Sequence, residues 1–494
     1  MSQRELKKEA TKGVIWTALQ KYSVMLATFV SDIVLARLLM PSDFGCVEML
    51  VIFILLAETI VNGGFGAALI QKKRPTQDDY STIFIWNFFS AIIIYIVLFF
   101  SAPLIARFYG IDSLSQILRV QGLILFIYVF NIIQYSILKK QLRFKAISIV
   151  TVIGSFISLV VAIVMAYVGC GVWALVARNL VLAGVTALIF WFYVKWRPSW
   201  NFSWDSFREL FSFGFYIFLS NLVTSFSAKI QSLLIGRVFN ANVMGYFSKA
   251  SGTENQASTS ISQIMDQITY PLYAEVQDDL AALGNMVKRI STTLAYLSFP
   301  MMFVLMLVAK PLFVLLYSSK WLPSVPYFQV LCLAGLGSCL QSVNFYTISA
   351  IGKSKITFKW TMIKRIVGIG LIVGGLAFWG MKGILLGTVL NAWFAYFVNM
   401  GLVSKHVLYK WYKQLADIAP VLTASVICAV ISYVSVNYFK LDLYVDGALK
   451  LVLYILLYMG WSFIFKPEAF VYSQGIVKPI IVKLKSKIRY RSIY

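Results

Sequence analysis

Hydrophobic residues recur along this chain in runs of roughly 20, each long enough to cross a hydrocarbon core about 30 Å thick as an α-helix. Short polar or basic connections separate the runs from one end of the chain to the other. The predicted spans are 14–37, 45–70, 80–105, 117–138, 147–167, 172–194, 209–238, 244–270, 290–316, 327–350, 360–379, 383–403, 417–436 and 448–465. The pattern therefore predicts an all-α, polytopic membrane protein of about fourteen transmembrane helices.

One predicted span departs from the apolar pattern. Residues 248–267 read SKASGTENQASTSISQIMDQ, and on a helix their polar positions fall three or four residues apart, which places them on one face. The resulting polar stripe consists of Lys249, Thr253, Gln256, Ser260, Gln263 and Gln267, with Glu254 and Asp266 beside it. The stripe either bonds this helix to its neighbours or faces water. Six polar residues in register exceed what helix packing needs, so we favour a water-filled cavity.

Other embedded polar residues lie in the first, second and seventh spans. Lys21, Thr28 and Asp32 share one face of the first span, and Glu58 and Asn62 lie one turn apart in the second. A flexible break, GGFG at 63–66, follows. The predicted lining of a substrate-binding cavity is Lys21, Thr28, Asn62, Lys229, Lys249, Thr253, Gln256, Ser260 and Gln263. The embedded cations are not matched by an equal number of embedded anions. They therefore create a positive field that attracts anions such as phosphate or pyrophosphate.

Four embedded carboxylates have two possible roles. They are Asp32, Glu58, Glu254 and Asp266. A carboxylate in a partly dehydrated cavity exchanges a proton or cation as the cavity changes its exposure, and this would couple transport to an ion gradient. Alternatively, each carboxylate only neutralises a nearby Lys. The sequence leaves both roles open.

Composition and charge support a membrane assignment. The chain has 494 residues, of which 60% are hydrophobic and 13% charged, with a net charge of +24 and a mean hydropathy of +0.78. Most Lys and Arg residues fall in the two termini and the even-numbered connections. Basic loops resist translocation, so both termini are predicted to be cytoplasmic, and the positive charge does not indicate nucleic acid binding. The first span carries Lys21, Asp32 and Arg37, which argues against a cleaved signal peptide.

The chain resembles itself across its two halves. IVLARLLMPSDFG (33–45) aligns without a gap to LLIGRVFNANVMG (233–245), and two further matches occur in the same order. Parallel repeats of this kind are a transporter architecture with the substrate site between the halves. The predicted organisation is a basic tail at 1–13, a six-helix lobe at 14–194, a linker at 195–208, a second six-helix lobe at 209–403, two extra helices at 404–465 and a basic interfacial tail at 466–494.

The sequence offers little that indicates catalysis or metal binding. Five cysteines are scattered in or near apolar segments without the paired spacing of a disulfide framework or zinc site, so we predict no metal and no cofactor. A phosphate-binding loop of the ATPase type is missing from the sequence. The connections predicted to be extracytoplasmic are short, which disfavours a membrane enzyme of polysaccharide assembly.

Several motifs resemble a known family. WTALQKY (16–22), IVLARLLMPSDFG (33–45), GYFSKASGTENQ (245–256) and YPLYAEVQDD (270–279) are similar, in this order, to the Wzx-type polysaccharide and O-antigen flippases. These belong to the multidrug/oligosaccharidyl-lipid/polysaccharide exporter superfamily. The resemblance implies a flippase of the bacterial inner membrane that moves undecaprenyl-diphosphate-linked oligosaccharides to the periplasmic leaflet by ion-driven alternating access, with polymerase or ligase machinery as possible partners. A multidrug or cation exporter of the same superfamily is the alternative.

Overall fold

The computed structural model describes residues 3–439 and 441–472, with side chains described from Trp16 onward except at 18–19, 261–268, 270–271, 274 and 354. The regular secondary structure of these ranges is all helical. The helices are α1 (Gln3–Leu38), α2 (Pro41–Asn62), α3 (Phe65–Gln71), α4 (Gln77–Tyr109), α5 (Ser113–Gln121), α6 (Ile124–Lys140), α7 (Phe144–Tyr167), α8 (Val172–Tyr193), α9 (Trp204–Val238), α10 (Ala241–Glu275), α11 (Leu280–Leu307), α12 (Ala309–Tyr317), α13 (Val325–Ala350), α14 (Ser354–His406), α15 (Trp411–Asn437) and α16 (Leu443–Phe465), with a 3-10 helix at Ser319–Ser324.

The helices confirm a polytopic membrane protein. Eleven helices of the described residues are long and apolar enough to cross a membrane. The polar helices α1 and α10 are of membrane length, 36 and 35 residues, but are not among the eleven. Helix α14 covers two predicted spans, 360–379 and 383–403. Its backbone leaves the helical region where the two meet, at Trp379 and at Gly380, where φ is 58°. The count of fourteen stays a prediction.

Local sequence signals explain where several helices begin and end. Pro41 occupies the first turn of α2, and the Asp43 carboxylate accepts a hydrogen bond of 2.9 Å from the Met40 amide. The break predicted after α2 is present, since Gly63 and Gly64 adopt φ of 55° and 77°. Thr76 caps α4 by accepting a hydrogen bond from the Asp79 amide.

The described chain divides into two compact units. Unit 1 comprises residues up to 248 together with 316–318, and unit 2 comprises 249–315 and the residues from 319 onward. The internal repeat places α9 in the second lobe, yet α9 packs on α2, α3 and α4 within unit 1. Repeat boundaries and packing boundaries therefore differ, and the lobes at 14–194 and 209–403 stay predictions. The predicted interfacial tail lies mostly outside the described residues, which end at Tyr472.

Within unit 1, α7 packs on α1 and α8, and α2 packs on α9. Two other positions in unit 1, Gly45 and Gly64, must be glycine because another backbone segment lies very close to each of them. A Cβ atom at Gly45 would lie 1.8 Å from the carbonyl oxygen of Ala241, and one at Gly64 would lie 2.1 Å from the carbonyl oxygen of Gly214.

Within unit 2, α11 packs on α13 and α15, and α13 packs on α14. Part of this core is a cluster of buried apolar residues that includes Leu283, Val287 and Leu294.

Candidate functional site

The predicted site residues fall in both units. Unit 1 holds Lys21, Thr28, Asp32, Glu58, Asn62 and Lys229. Unit 2 holds Lys249, Thr253, Glu254, Gln256 and Ser260, and also Gln263 and Asp266, whose side chains lie outside the described set. The polar constellation is thus distributed over four helices: α1, α2, α9 and α10.

Lys229 of α9 forms an ion pair in unit 1. Its Nζ lies 2.8 Å from Oε1 of Glu48 on α2, and the hydroxyl of Ser232 donates to the same oxygen at 3.1 Å. Both side chains of the pair are half-buried. Glu48 was not among the predicted site residues, although it is an acidic residue inside the predicted span 45–70. A cation that was expected to face a substrate is therefore neutralised by protein.

Asp32 of α1 is held in a similar way. Nη1 of Arg178 on α8 donates a hydrogen bond of 2.7 Å to its carboxylate, and the same nitrogen lies 3.5 Å from the Ser31 hydroxyl. Arg178 is a second residue that the sequence analysis missed, and its signal was an arginine inside the predicted span 172–194. This contact favours charge neutralisation over ion exchange as the role of Asp32.

Helix α2 presents Glu58 and Asn62 differently. The Asn62 side chain accepts a hydrogen bond of 3.4 Å from the Gly66 amide, so it joins α2 to α3 across the glycine break. Glu58 is half-buried and has no cationic partner within 4.0 Å among the described residues. Beside it, the hydroxyls of Thr59 and Ser225 lie 3.4 Å apart, which links α2 to α9. Of the two coupling candidates in unit 1, Asp32 and Glu58, Glu58 is therefore the one that no described cation neutralises.

Exposed polar residues occur on both α1 and α9 in unit 1. Lys21 and Thr28, predicted to share a face of α1, are both exposed. On α9, the exposed residues Asn221, Thr224 and Ala228 follow one another at spacings of three and four, and therefore share one face. These α9 residues were not among the predicted site residues, although their spacing matches that of the polar stripe on α10. Polar groups exposed on membrane-length helices are costly in lipid and are expected to meet water.

In unit 2, α10 buries Lys249 and Glu254. Lys249 is buried, and its Nζ lies 5.4 Å above the ring of Trp321, which is a cation–π geometry. Glu254 is buried too, and its carboxylate is bonded to Ser258. A Cβ atom at Gly335 of α13 would lie 2.5 Å from Oε1 of Glu254, so the missing side chain of this glycine makes room for the carboxylate.

The predicted stripe on α10 lies beside an exposed face. Thr253, Gln256 and Ser260 are half-buried. The Thr253 hydroxyl donates to the Lys249 carbonyl at 2.8 Å, and that of Ser260 donates to the Gln256 carbonyl. The most exposed positions are instead Gly252, Asn255 and Thr259, which follow one another at three and four residues. The exposed polar surface of α10 is thus wider than predicted, and the stripe forms one edge of it.

Comparisons with known proteins give the class. Residues 34–326 match the family described as polysaccharide biosynthesis protein. Two curated relatives are the teichuronic acid biosynthesis protein TuaB of Bacillus subtilis, 25% identical over 72% of this chain and 74% of its own, and the lipopolysaccharide biosynthesis protein WzxC of Escherichia coli, 23% identical over 83% and 84%. Among solved structures, the lipid II flippase MurJ in an inward closed conformation superposes with a TM-score of 0.73 at 15% identity, covering 92% of this chain and 98% of MurJ.

The chain belongs to the polysaccharide biosynthesis protein family, because the matched residues make up more than half of its length. The resemblance to Wzx-type flippases, predicted from four short segments, is confirmed by these likenesses. The likeness to MurJ shows that the two chains share a fold. The predicted class, a polytopic transporter and not an enzyme, is therefore confirmed.

Proposed function

We propose that this protein flips undecaprenyl-diphosphate-linked oligosaccharides from the cytoplasmic to the periplasmic leaflet of a bacterial inner membrane, for the export of a surface polysaccharide such as O-antigen, capsule or exopolysaccharide. Family membership supports a role in polysaccharide assembly. The fold, which resembles that of a lipid II flippase, supports movement of a lipid-linked sugar. Both termini are assigned to the cytoplasm because the basic connections lie on their side.

The observation that carries this proposal is the exposed polar face of α10. Asn255 and Thr259 are exposed on a helix of membrane length, next to the stripe that begins at the buried Lys249. Amide and hydroxyl groups hydrogen-bond to sugar hydroxyls, whereas nearby cations attract a diphosphate. In unit 1, Lys21 on α1 is an exposed cation. Polar and cationic groups of these kinds fit a substrate that is both glycosylated and anionic.

The transport cycle is proposed to be alternating access driven by an ion gradient. Glu58 and Glu254 are the strongest coupling candidates, because the described residues provide neither with a cationic partner within 4.0 Å. Asp32 is a weaker candidate, since Arg178 already holds it. Asp266 stays a candidate from its sequence position alone.

The deciding experiment uses proteoliposomes that contain the purified chain and a fluorescent polyprenyl-diphosphate oligosaccharide. We expect protein-dependent loss of fluorescence to a membrane-impermeant quencher or glycosidase, faster with an imposed ion gradient. A polyprenyl monophosphate without sugar, tested in parallel, should move more slowly. Equal movement in liposomes without protein would refute flipping by this chain.

A multidrug or cation exporter is the alternative function, and one comparison separates the two. Expression in a strain that lacks its main efflux pumps should leave drug susceptibility unchanged if the chain transports lipid-linked sugars. The basic residues of the polar faces disfavour organic cations, because like charges repel. Raised resistance to cationic drugs, with no effect on surface polymer, would favour the exporter.

A further inference from the structure

A cavity of about 550 Å³ opens at one end of unit 1, and none of the predicted site residues lines it. It lies where α4 begins and where α6 and α8 end, so every element around it belongs to the same unit. The basic connections place this end of the helices on the predicted cytoplasmic side of the membrane. Its volume falls in the range of sites for organic ligands.

Positive charge lines the rim of this cavity. Arg143, which precedes α7, and Lys195, which follows α8, both contribute to the lining and are exposed. Neither forms an ion pair with any carboxylate of the described residues. The neighbouring carboxylates of α4 are already engaged, since Asp79 accepts from Lys72 at 2.9 Å and Asp78 accepts from Asn201 at 3.2 Å. The two cations are therefore available to an anionic ligand.

The walls of the cavity are aromatic and its floor is apolar. Tyr80, Tyr193 and Trp196 line it, and Trp196 is fixed by a hydrogen bond of 2.6 Å from its ring nitrogen to the Gln77 side chain. The rings of Tyr80 and Trp196 meet edge to face at 6.1 Å. Tyrosine and tryptophan at the ends of membrane spans lie at headgroup depth.

We propose that this cavity binds the headgroup of an anionic glycerophospholipid, with the phosphate at Arg143 and Lys195 and the glycerol backbone over the apolar floor formed by Leu138 and Val194. Arginine and lysine both bind phosphate oxygens through charge-assisted hydrogen bonds. Basic pockets between membrane helices on the cytoplasmic side recognise acidic lipids by the same chemistry. The apolar floor and the aromatic walls distinguish this ligand from a free phosphate ion, which uses neither. The site would bind a structural lipid at the rim of unit 1, separately from the transported substrate.

The test measures lipid binding to the delipidated full-length chain by native mass spectrometry and by thermal shift. The probes are phosphatidylglycerol, phosphatidylcholine with the same acyl chains, and inorganic phosphate. We expect phosphatidylglycerol to bind and to raise the melting temperature, and the other two probes to have little effect. Equal effects of phosphatidylglycerol and phosphatidylcholine, or full competition by millimolar phosphate, would overturn the assignment.

Substitutions locate the site. Arg143→Gln with Lys195→Gln should weaken phosphatidylglycerol binding at least about tenfold, whereas Arg143→Lys with Lys195→Arg keeps both charges and should bind normally. The matched control is Lys73→Gln with Arg74→Gln, which removes one Lys and one Arg from exposed positions of a neighbouring basic connection. These side chains are exposed, so the fold is expected to tolerate the changes. Unchanged binding by the first double variant, or an equal loss in the control, would refute the proposal.

Discussion

Lys229 and Glu48 form an ion pair of 2.8 Å that joins α9 to α2 within unit 1. The pair shows that part of the positive charge on the membrane helices is neutralised within the protein. One cation that the sequence assigned to a substrate cavity already has a protein anion, as Asp32 has a protein cation in Arg178. In the proposed function, attraction of a diphosphate therefore depends more on Lys21 and Lys249 than the sequence alone suggested.

Removing one partner of the first pair should destabilise unit 1. Glu48→Gln leaves the half-buried Lys229 without its anion, and we expect a loss of about 1–3 kcal/mol of stability, seen as a lower melting temperature in detergent. Glu48→Met combined with Lys229→Met should recover much of the stability, because no unpaired charge remains. A double-mutant cycle with no coupling energy would contradict the pairing. If Lys229 also contacts the substrate, the double variant should recover stability but still export less polymer than the parent protein.

The Asp32–Arg178 pair predicts the outcome of a charge exchange. Asp32→Asn and Arg178→Gln should each lower the amount of folded protein, since each leaves a partly buried charge unpaired. Asp32→Arg combined with Arg178→Asp should restore both protein level and polymer export if Asp32 only neutralises charge. Restored protein level without restored gradient-driven transport would instead assign ion exchange to Asp32.

Lys21 and Lys249 are expected to be essential for transport. Lys21→Ala and Lys249→Ala should abolish export of the cognate polymer in a flippase-null strain, with membrane insertion intact. Lys21 is exposed, so its loss should not affect folding, whereas Lys249 packs on Trp321, so Lys249→Arg is the conservative companion. Lys73→Ala is the matched control at an exposed connection. Normal surface polymer from both alanine variants would reject a substrate-binding role.

The carboxylates of α2 and α10 are expected to separate binding from coupling. Glu58→Gln and Glu254→Gln keep side-chain size but cannot exchange a proton or a cation. We expect each variant to lose most of the acceleration by an ion gradient in proteoliposomes, while equilibrium binding of the lipid-linked sugar changes less than about threefold. Gradient-dependent transport at the parent rate in both variants would remove these residues from the coupling role.

The contact between the first turns of α2 and α10 should not tolerate even one methyl group. A Cβ atom at Gly45 would lie 1.8 Å from the Ala241 carbonyl oxygen, and one at Gly245 would lie 1.9 Å from the Pro41 carbonyl oxygen. Gly45→Ala and Gly245→Ala should therefore lower the melting temperature by several degrees. Gly184→Ala is the control, because no atom lies within 4 Å of the added methyl. Equal stability of all three variants would contradict the backbone contact.

The sequence by itself determined the class of fold and located the eleven helices of the described residues that are long and apolar enough to cross a membrane. Apolar runs of membrane length leave the backbone one way to satisfy its hydrogen bonds in lipid, which is a helix, so the pattern specifies the elements directly. The GGFG break at 63–66 was readable for a local reason, because glycine alone adopts positive φ at little cost. The alignment of Gly45 with Gly245 also came from sequence.

Only the tertiary structure decided the partners of the embedded charges. Glu48 lies 181 residues from Lys229, and Arg178 lies 146 residues from Asp32, so no local spacing reveals either pair. The same applies to Gly335, whose missing side chain makes room for Glu254. Periodicity shows which residues share a helix face, but it does not show which helix that face meets. Ion pairing depends on separations of a few ångströms between helices, and these are fixed by how the helices pack.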